Sequence, residues 1–349
     1  MIDDIFVFDN VIHLYDLSEA NIRRDRADAR PVLEQTLAEV KDLRWKGYPL
    51  HDDAQFDWGR RWNVDDMYDL VFRQAPTDMA MAQVVPMFDW FTDWYAPVTT
   101  QHQMAATYPD RVLFCGGVDP MLRGLNDALN QLDYQVNELG ARSLKFYNGH
   151  AKNGDCWRCD DERFAYPMYE RARDAGVRVL QFHKGNPHGL QNVEFLSPLD
   201  LQAPARDFPD MDFIVHHLAL PYFDEMVSLA ARFPNVYMSL AGYMAFYRIA
   251  PRRVQHHLGR LLQVGGADKI LWGSEAALAG CPAPYLRAFM DFEIPDDMRA
   301  GYGYPQITRD DKKKILGENF ARLMGIDIEQ KKAEFAGKAQ CSESTVATL

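Results

Sequence analysis

The stretch VLQFHKG at residues 179–185 has the form of a buried strand that ends in a histidine. A second stretch, FIVHHLAL at residues 213–220, repeats this form with His216 and His217 after three apolar residues. Strands that are apolar on both faces are typical of a parallel sheet covered by helices. The carboxyl ends of such strands are where catalytic side chains collect. The two stretches therefore predict both the fold class and the place of the functional site.

The same kind of short apolar run recurs along the chain, and the candidate strands are Ile5–Phe8, Met79–Val85, Val112–Gly116, Ser143–Phe146, Val177–Phe182, Phe213–Val215, Val236–Leu240 and Ile270–Trp272. Between them lie amphipathic stretches such as LNDALNQLDYQVNELG, in which apolar residues recur at helical spacing. Eight strand–helix units predict a closed (β/α)₈ TIM barrel of the α/β class, with an open doubly wound sheet as the rival. No G-x-G-x-x-G follows the first strand, which removes the usual sign of a dinucleotide-binding fold.

The chain is predicted to form one barrel over residues 1–326 and a polar C-terminal tail over residues 327–349. Residues 17–78 form a charged and aromatic insertion after the first strand, which is expected to fold into helices and a lid over one barrel end. The insertion and the tail both suggest association with a second subunit, either a copy of this chain or a paralogue.

Charge and hydropathy exclude several classes of partner. The formal net charge of -12 argues against nucleic acid and anionic membranes, because both repel an acidic surface. No run of about twenty apolar residues and no signal-peptide pattern occurs, so a cytoplasmic location is expected.

The cysteines predict neither a disulfide framework nor a structural metal site. There are five, an odd number spread along the chain. Cys156 and Cys159 have the C-x-x-C spacing of half a zinc site, but the second pair that structural zinc needs is absent. Both are interpreted as reduced loop cysteines.

Polar side chains gather at or just after the predicted strand ends, and these are Asp9, His13, Lys145, His150, His183, His216, His217 and Glu275. Neutral imidazole and carboxylate oxygen are the ligand types that hold zinc, iron or manganese. One histidine at a strand end is usually a hydrogen-bonded core residue, whereas donors at several strand ends favour a shared metal site.

The other histidines are placed outside that site. Alternate side chains of a strand point to opposite faces, so one of His216 and His217 is expected to be structural. His256 and His257 lie in a basic amphipathic stretch and are interpreted as surface or packing residues, and His51 and His102 are placed away from the metal.

With these motifs in place, the chain resembles the amidohydrolase superfamily, in particular the amidohydrolase-related branch that includes aminocarboxymuconate-semialdehyde decarboxylase. The resemblance rests on the histidine after the fifth strand, FIVHHLAL, PNVYMSL, WGSE and GENFARL, in that order. It covers roughly residues 1 to 326 and implies a metal-dependent barrel that catalyses hydrolysis, deamination or non-oxidative decarboxylation.

Two departures from the family pattern change the expected metal. The family opens with Asp-x-His-x-His, whereas Asp9, Val11 and His13 stand in that frame here. The eighth strand usually supplies Asp, and here it supplies Glu275. A harder and more anionic site favours iron or manganese over a single zinc. In this respect the chain is similar to the 2-aminoisobutyrate hydroxylase-like oxygenases, a branch whose members hold a dinuclear non-haem metal centre.

The predicted ligand set is Asp9, His13, His183, His217 and Glu275, with His150 or His216 completing a second metal site. Lys145 has three interpretations: a carboxylated bridge between metals, a partner for a substrate carboxylate, or a lysine satisfied by carboxylates of the protein. Among so many carboxylates its ammonium is expected to stay charged.

Three functions stay open at this point. The resemblance implies a dinuclear iron or manganese oxygenase that hydroxylates an unactivated C–H bond of a small amino acid such as 2-aminoisobutyrate, which needs O₂ and an external electron donor. In that case MFDWFTDWY, residues 87 to 95, would line a dry pocket or pack under the lid. A hydrolase or non-oxidative decarboxylase of a small carboxylic acid would use one zinc or manganese, with His217 or Glu275 moving the proton. A non-catalytic scaffold subunit is the remaining alternative.

Overall fold

The protein is a (β/α)₈ barrel in a computed structural model that describes residues 1–41, 43–45, 57 and 59–346. Its eight parallel strands follow one another in sequence order around one sheet and are β1 (Phe8–Ile12), β2 (Met79–Gln83), β3 (Val112–Gly117), β4 (Ser143–Phe146), β5 (Val179–Phe182), β6 (Asp212–Val215), β7 (Val236–Ser239) and β8 (Ile270–Leu271). The predicted TIM-barrel fold is confirmed.

Backbone hydrogen bonds between the segment after β8 and β1 close the sheet on itself. The Asn10 amide donates to the Trp272 carbonyl at 3.0 Å, and the His13 amide donates to the Ala276 carbonyl at 2.8 Å. Because closure brings the first and last strands together, side chains more than 250 residues apart in the sequence become neighbours.

Helices cover the outer face of the barrel, and their bounds are Ala29–Lys41, Val64–Tyr68, Val98–Thr107, Pro120–Arg123, Leu125–Asn137, Ala165–Asp174, Gln202–Asp207, Phe223–Arg232, Pro251–Gly265, Ala283–Met290, Asp296–Tyr302, Arg309–Lys313, Asn319–Met324 and Ile328–Val346. The longer barrel helices bury an apolar stripe, as Val254, Leu258 and Leu261 show for Pro251–Gly265. None of the helices in the described part of the chain is both long and apolar enough to cross a membrane.

The first strand lies further along the chain than its apolar run predicted. Ile5 pairs with Ile2 in a tight turn, and the Val7 amide donates to the Asp78 carboxylate at 2.8 Å, so these residues lead into the sheet. The strand itself begins at Phe8 and includes Asp9 and the buried Asn10. The prediction of Ile5–Phe8 was wrong because this barrel interior accepts polar side chains that hydrogen-bond one another.

The insertion and the tail both contain helices in the described residues. The helix Ala29–Lys41 places Thr36 and Val40 at the wall of a cavity that also contacts Glu275, and its role as a lid stays a prediction. The tail, predicted only to be polar, forms the helix Ile328–Val346, and Phe335 packs there against Arg111 with the guanidinium 4.4 Å from the ring centroid.

Candidate metal centre

The cluster that could hold a metal forms where three strands end. His216 and His217 follow β6 directly, and Glu275 follows β8 by four residues. One ligand atom from each of these three side chains lies within 4.8 Å of the others. His13, which follows β1, places Nε2 at 3.4 Å from Glu275 Oε1. His183, which follows β5, places its ring 4.9 Å from the ring of His217.

Both adjacent histidines belong to this cluster, so the prediction that only one of them faces the barrel axis was wrong. Strand alternation does not apply, because β6 ends at Val215. The backbone then enters the left-handed region at His217, with φ of 56°, and at Leu218, with φ of 51°. This turn redirects the second imidazole so that His216 and His217 are both buried at the same centre.

The histidines are held as metal-ligating histidines usually are, with one ring nitrogen on a protein oxygen and the other free. His13 Nδ1 lies 2.7 Å from the Gln83 carbonyl, and His217 Nδ1 lies 3.1 Å from the Ala241 carbonyl. A carbonyl oxygen only accepts, so each Nδ1 carries a proton and Nε2 is the nitrogen left for a metal.

His183 has the same arrangement with its nitrogens exchanged. Nε2 lies 3.1 Å from the Asn186 carbonyl, and the buried Nδ1 has no hydrogen-bond partner among the described residues. The ring stacks on Tyr147 with centroids 4.2 Å apart, which fixes its orientation. Burial holds the pKa of His183 well below its usual value, so the imidazole is neutral.

Glu275 supplies the anionic donor of the cluster. Its Oε1 accepts a hydrogen bond of 3.0 Å from the Tyr15 hydroxyl, and its Oε2 has no partner in the described structure. Burial alone would raise the pKa of Glu275, but the neighbouring His13 and His217 bring it well below its usual value. Its φ of 59° is in the left-handed region, a strained conformation for a non-glycine residue that is often found at functional sites.

Asp9 lies beneath Glu275 and orients the loop that carries it. Asp9 Oδ1 accepts from the Ser274 amide at 2.9 Å, while the buried Oδ2 has no partner in the described residues. Burial raises the pKa of Asp9 to about 7. Its free oxygen leaves the predicted ligand role open as a proposal.

Lys145 is buried inside the barrel on β4, and its Nζ has no hydrogen-bond partner among the described residues. The interpretation that protein carboxylates satisfy it was therefore wrong. Burial lowers the pKa of Lys145 to about 7, so near neutral pH its amine is only partly protonated, in contrast to the expected ammonium. The nearby Glu275 carboxylate favours the charged form, but desolvation has the larger effect on the pKa.

His150 does not join the cluster. Its Nδ1 lies 2.8 Å from Asp89 Oδ2, and its Nε2 lies 2.9 Å from Asp119 Oδ2. Although burial opposes it, the two carboxylates raise the pKa of His150 to about 10, so the ring is a cation. The prediction that His150 completes a second metal site was wrong because neither ring nitrogen keeps a free lone pair.

Four other histidines and the C-x-x-C pair lie elsewhere, whereas His188 lines the cavity at the cluster and stacks on His183. His257 stacks on Phe223 and His256 lies 2.8 Å from the Tyr304 hydroxyl, as expected of packing residues. His102 contacts Phe114 on the outer face of the barrel, and His51 lies outside the described residues. Cys156 and Cys159 are free thiols, as predicted.

A cavity of about 560 Å³ opens onto the cluster through His217 and Glu275. Its wall is aromatic, with Tyr15, Tyr95 and Tyr147 among the lining side chains. Tyr95 is the residue of the run 87–95 that lines it, whereas Trp90 turns away and donates to Asp28 at 2.9 Å.

Sequence reasoning missed Tyr15 and the amide side chains beneath the histidines. Tyr15 stands two residues after His13, which is the spacing that returns a side chain to the same face of an extended segment. That spacing was the available signal. Gln83 and Gln181 gave none, because a lone glutamine within an apolar run does not reveal its partners.

The donor set fits a first-row transition metal. Several neutral imidazoles with free nitrogens, one carboxylate and a surrounding shell of hydrogen-bonding oxygens are what zinc, manganese or iron sites require. The buried atoms without partners at His13, His183 and Glu275 all belong to this one place.

Comparison with known proteins gives the family of the chain and agrees with the fold. The model of the Amidohydrolase family (Amidohydro_2) matches residues 26–326, and the chain belongs to this family. It is thereby a member of the amidohydrolase superfamily and is interpreted as a metal-dependent enzyme of that class.

Three solved structures share the barrel. An uncharacterized TIM-barrel protein from Bordetella bronchiseptica is 19% identical with a TM-score of 0.62, covering 92% of this chain and 99% of that one. An amidohydrolase from Burkholderia multivorans with bound zinc is 14% identical with a TM-score of 0.58, covering 92% and 100%. The 5-carboxyvanillate decarboxylase of Sphingomonas paucimobilis is 16% identical with a TM-score of 0.54, covering 93% and 100%. At these identities the likeness shows the fold alone.

A curated relative matches only a short segment. Protein fluG of Emericella nidulans is 28% identical over 98 residues, which are 28% of this chain and 11% of that protein.

Proposed function

We propose that this protein is a metal-dependent enzyme that acts on a small carboxylic acid by hydrolysis or non-oxidative decarboxylation. The observation that carries the proposal is the cluster of His216, His217 and Glu275, whose ligand atoms lie within 4.8 Å of one another, at the floor of an aromatic cavity. His13 and His183 complete the ligands. One metal held there would supply a Lewis acid for a carbonyl or carboxylate oxygen of the substrate.

The residues of the chain have separate tasks around that centre. The Tyr15 hydroxyl holds Glu275 through a 3.0 Å hydrogen bond, and the carboxylate thus stays fixed at the cavity floor. Tyr95 and Tyr147 exclude water from the reacting bond, which strengthens electrostatic interactions there. Arg253 lines the cavity and offers a cation to an acid, while Glu39 also lines it and disfavours a dianion.

Metal analysis combined with two activity screens tests the proposal. We expect about one zinc or manganese per chain, and release of CO₂ or of a hydrolysis product from some member of a panel of aromatic and aliphatic acids, lactones and amides. A chelator should abolish the activity and the metal should restore it. A metal-loaded enzyme that is inactive in both screens would contradict the proposal.

A second candidate is the dinuclear oxygenase. It is favoured by the number of donors, because the partnerless buried atoms of Asp9, His13, Lys145, His183 and Glu275 exceed the three or four protein ligands of one tetrahedral ion. This function would require iron or manganese, O₂ and an electron donor. Two metals per chain with O₂ consumption in the presence of a reductant and a small amino acid would support it, whereas one metal and no O₂ consumption would exclude it.

A third outcome concerns association. A chain that binds no metal yet forms a stable complex with a metal-loaded paralogue would be the non-catalytic subunit of a hetero-oligomer. Size-exclusion chromatography with metal analysis of each subunit separates this outcome from the two catalytic ones.

A further inference from the structure

A layer of polar side chains fills the barrel just beneath the metal centre. Asn10, Gln83, Ser143, Gln181 and Ser239 come from different strands and hydrogen-bond one another across the barrel. Barrels of this type usually fill their interior with branched apolar residues. A buried polar layer is costly unless its hydrogen bonds are satisfied, so its geometry indicates a specific task.

The orientation of the Gln181 amide follows from its neighbours. Ser143 Oγ donates to the Val179 carbonyl at 2.8 Å, so this oxygen is free to accept from Gln181 Nε2 at 3.2 Å. On the other side, Gln83 Nε2 and Asn10 Nδ2 approach Gln181 Oε1 at 2.8 and 3.3 Å, and both can only donate. The amide therefore presents its oxygen toward β1 and β2 and its nitrogen toward β4.

His216 hydrogen-bonds to the side-chain oxygen of Gln181. Its Nε2 is 2.8 Å from Gln181 Oε1, so Nε2 carries the ring proton. Its Nδ1 is buried and has no hydrogen-bond partner among the described residues. His216 is also one of the three residues whose ligand atoms converge within 4.8 Å. His13, His183 and His217 are held by backbone carbonyls, which a substitution cannot remove. His216 is held by the side chain of Gln181, which a substitution can change.

We propose that Gln181 is a positioning residue that fixes His216 as the Nε2–H tautomer, and that His216 Nδ1 is a metal ligand. The inference rests on the metal centre of the proposed function and deepens it. Partners that orient a ligating histidine typically contribute about 10- to 100-fold to metal affinity.

Two substitutions of similar volume separate positioning from packing. Gln181→Met removes the acceptor, and we expect Co²⁺ affinity to fall by roughly 10- to 100-fold. Gln181→Glu keeps an acceptor facing His216, and its affinity should remain close to the wild-type value. Gln135→Met is the matched control, because Gln135 is equally buried but bonds only to the backbone of Gly117. Competition titrations with a chromophoric chelator measure all four proteins, and thermal unfolding checks that they are folded.

Nitrogen NMR of the metal-free protein tests the tautomer without reference to catalysis. We expect His216 to be protonated at Nε2 in the wild type and in Gln181→Glu, and to populate both tautomers in Gln181→Met. Protonation at Nδ1 in the wild type, or unchanged Co²⁺ affinity in Gln181→Met, would overturn the inference. A wild type that shows the expected tautomer but binds no metal would refute the proposed function and the ligand role of His216, while the tautomer result would stand.

Discussion

Two groups of residues built around buried histidines lie at the same end of this barrel, and they behave in opposite ways. In the metal centre, His13, His183 and His217 each place one nitrogen on a backbone carbonyl and leave the other nitrogen free. In the second group, His150 places both nitrogens on carboxylates, those of Asp89 and Asp119. The first arrangement leaves each imidazole one nitrogen that can bind a cation, whereas the second makes the imidazole itself the cation.

This difference shows that a histidine at a strand end does not by itself indicate a ligand. The hydrogen-bond partners of the ring decide whether a histidine can bind a metal. One acceptor on one nitrogen leaves a lone pair on the other nitrogen, whereas two carboxylates favour the doubly protonated ring. His150 instead joins three loops, since Asp89 follows β2, Asp119 follows β3 and His150 follows β4. We expect substitutions in the two groups to change different properties of the protein.

The largest effect is expected from Glu275→Ala. Removing the anionic donor should lower metal affinity by more than the roughly 100-fold that loss of a supporting partner causes, and activity should disappear. His183→Ala should act in the same direction. Metal content by mass spectrometry and the activity screens measure both effects. Wild-type activity in either variant would contradict the ligand assignment.

His150→Gln should change stability and leave the metal bound. Breaking a buried ion pair leaves uncompensated charge, so the free energy of unfolding should fall by about 3–5 kcal/mol. Urea unfolding measures the loss, with His102→Gln on the outer helix Val98–Thr107 as the control. Loss of metal with unchanged stability would reverse the distinction between the two groups.

The stability difference between wild type and His150→Gln should depend on pH. The pKa of His150 is raised to about 10 in the folded protein, above its usual value near 6.5. The folded state therefore binds the proton more tightly, and the stabilisation is complete below about pH 6.5 and is lost as the pH rises through about 10. Unfolding curves at several pH values measure this difference, and a gap that widens with rising pH would contradict the sign.

The smallest effect is expected from Cys156→Ser. Its Sγ accepts from the His150 amide at 3.1 Å, and the hydroxyl can replace this contact. Stability should change by less than about 1 kcal/mol and metal content should not change. Loss of metal in this variant would assign the C-x-x-C pair to a metal after all.

The barrel was predictable because its strands are short apolar runs at regular spacing. The predicted bounds of Ser143–Phe146 match the observed strand at both ends, and the bounds of most other strands differ from the observed ones by one or two residues. The exception is β1, where Asp9 and Asn10 lie inside the strand. Buried Asn10 bonds to Gln181 of β5 and Ser239 of β7, and buried Asp9 accepts from the Ser274 amide after β8. Such distant partners cannot be identified from a local pattern.

The convergence of side chains from several strand ends was predictable, but the details of the cluster were not. Strand ends in a barrel converge, so His183, His217 and Glu275 could be grouped from sequence alone. His216 and His217 both join the cluster because the backbone makes a left-handed turn at His217. The sequence gives no sign of this turn, because glycine is the usual residue in a left-handed conformation and residue 217 is a histidine. His150 lies outside the cluster because its ring pairs with Asp89 and Asp119. These partners are 61 and 31 residues away in the sequence, so the pairing could not be predicted from local sequence.

Anomalous X-ray diffraction from crystals grown with Co²⁺ would locate the metal in the barrel. We expect a strong anomalous peak within about 2.0–2.3 Å of His217 and Glu275 ligand atoms, with His13, His183 and His216 Nδ1 around it. A peak between His150 and its two aspartates, or no peak at the floor of the cavity, would contradict this expectation.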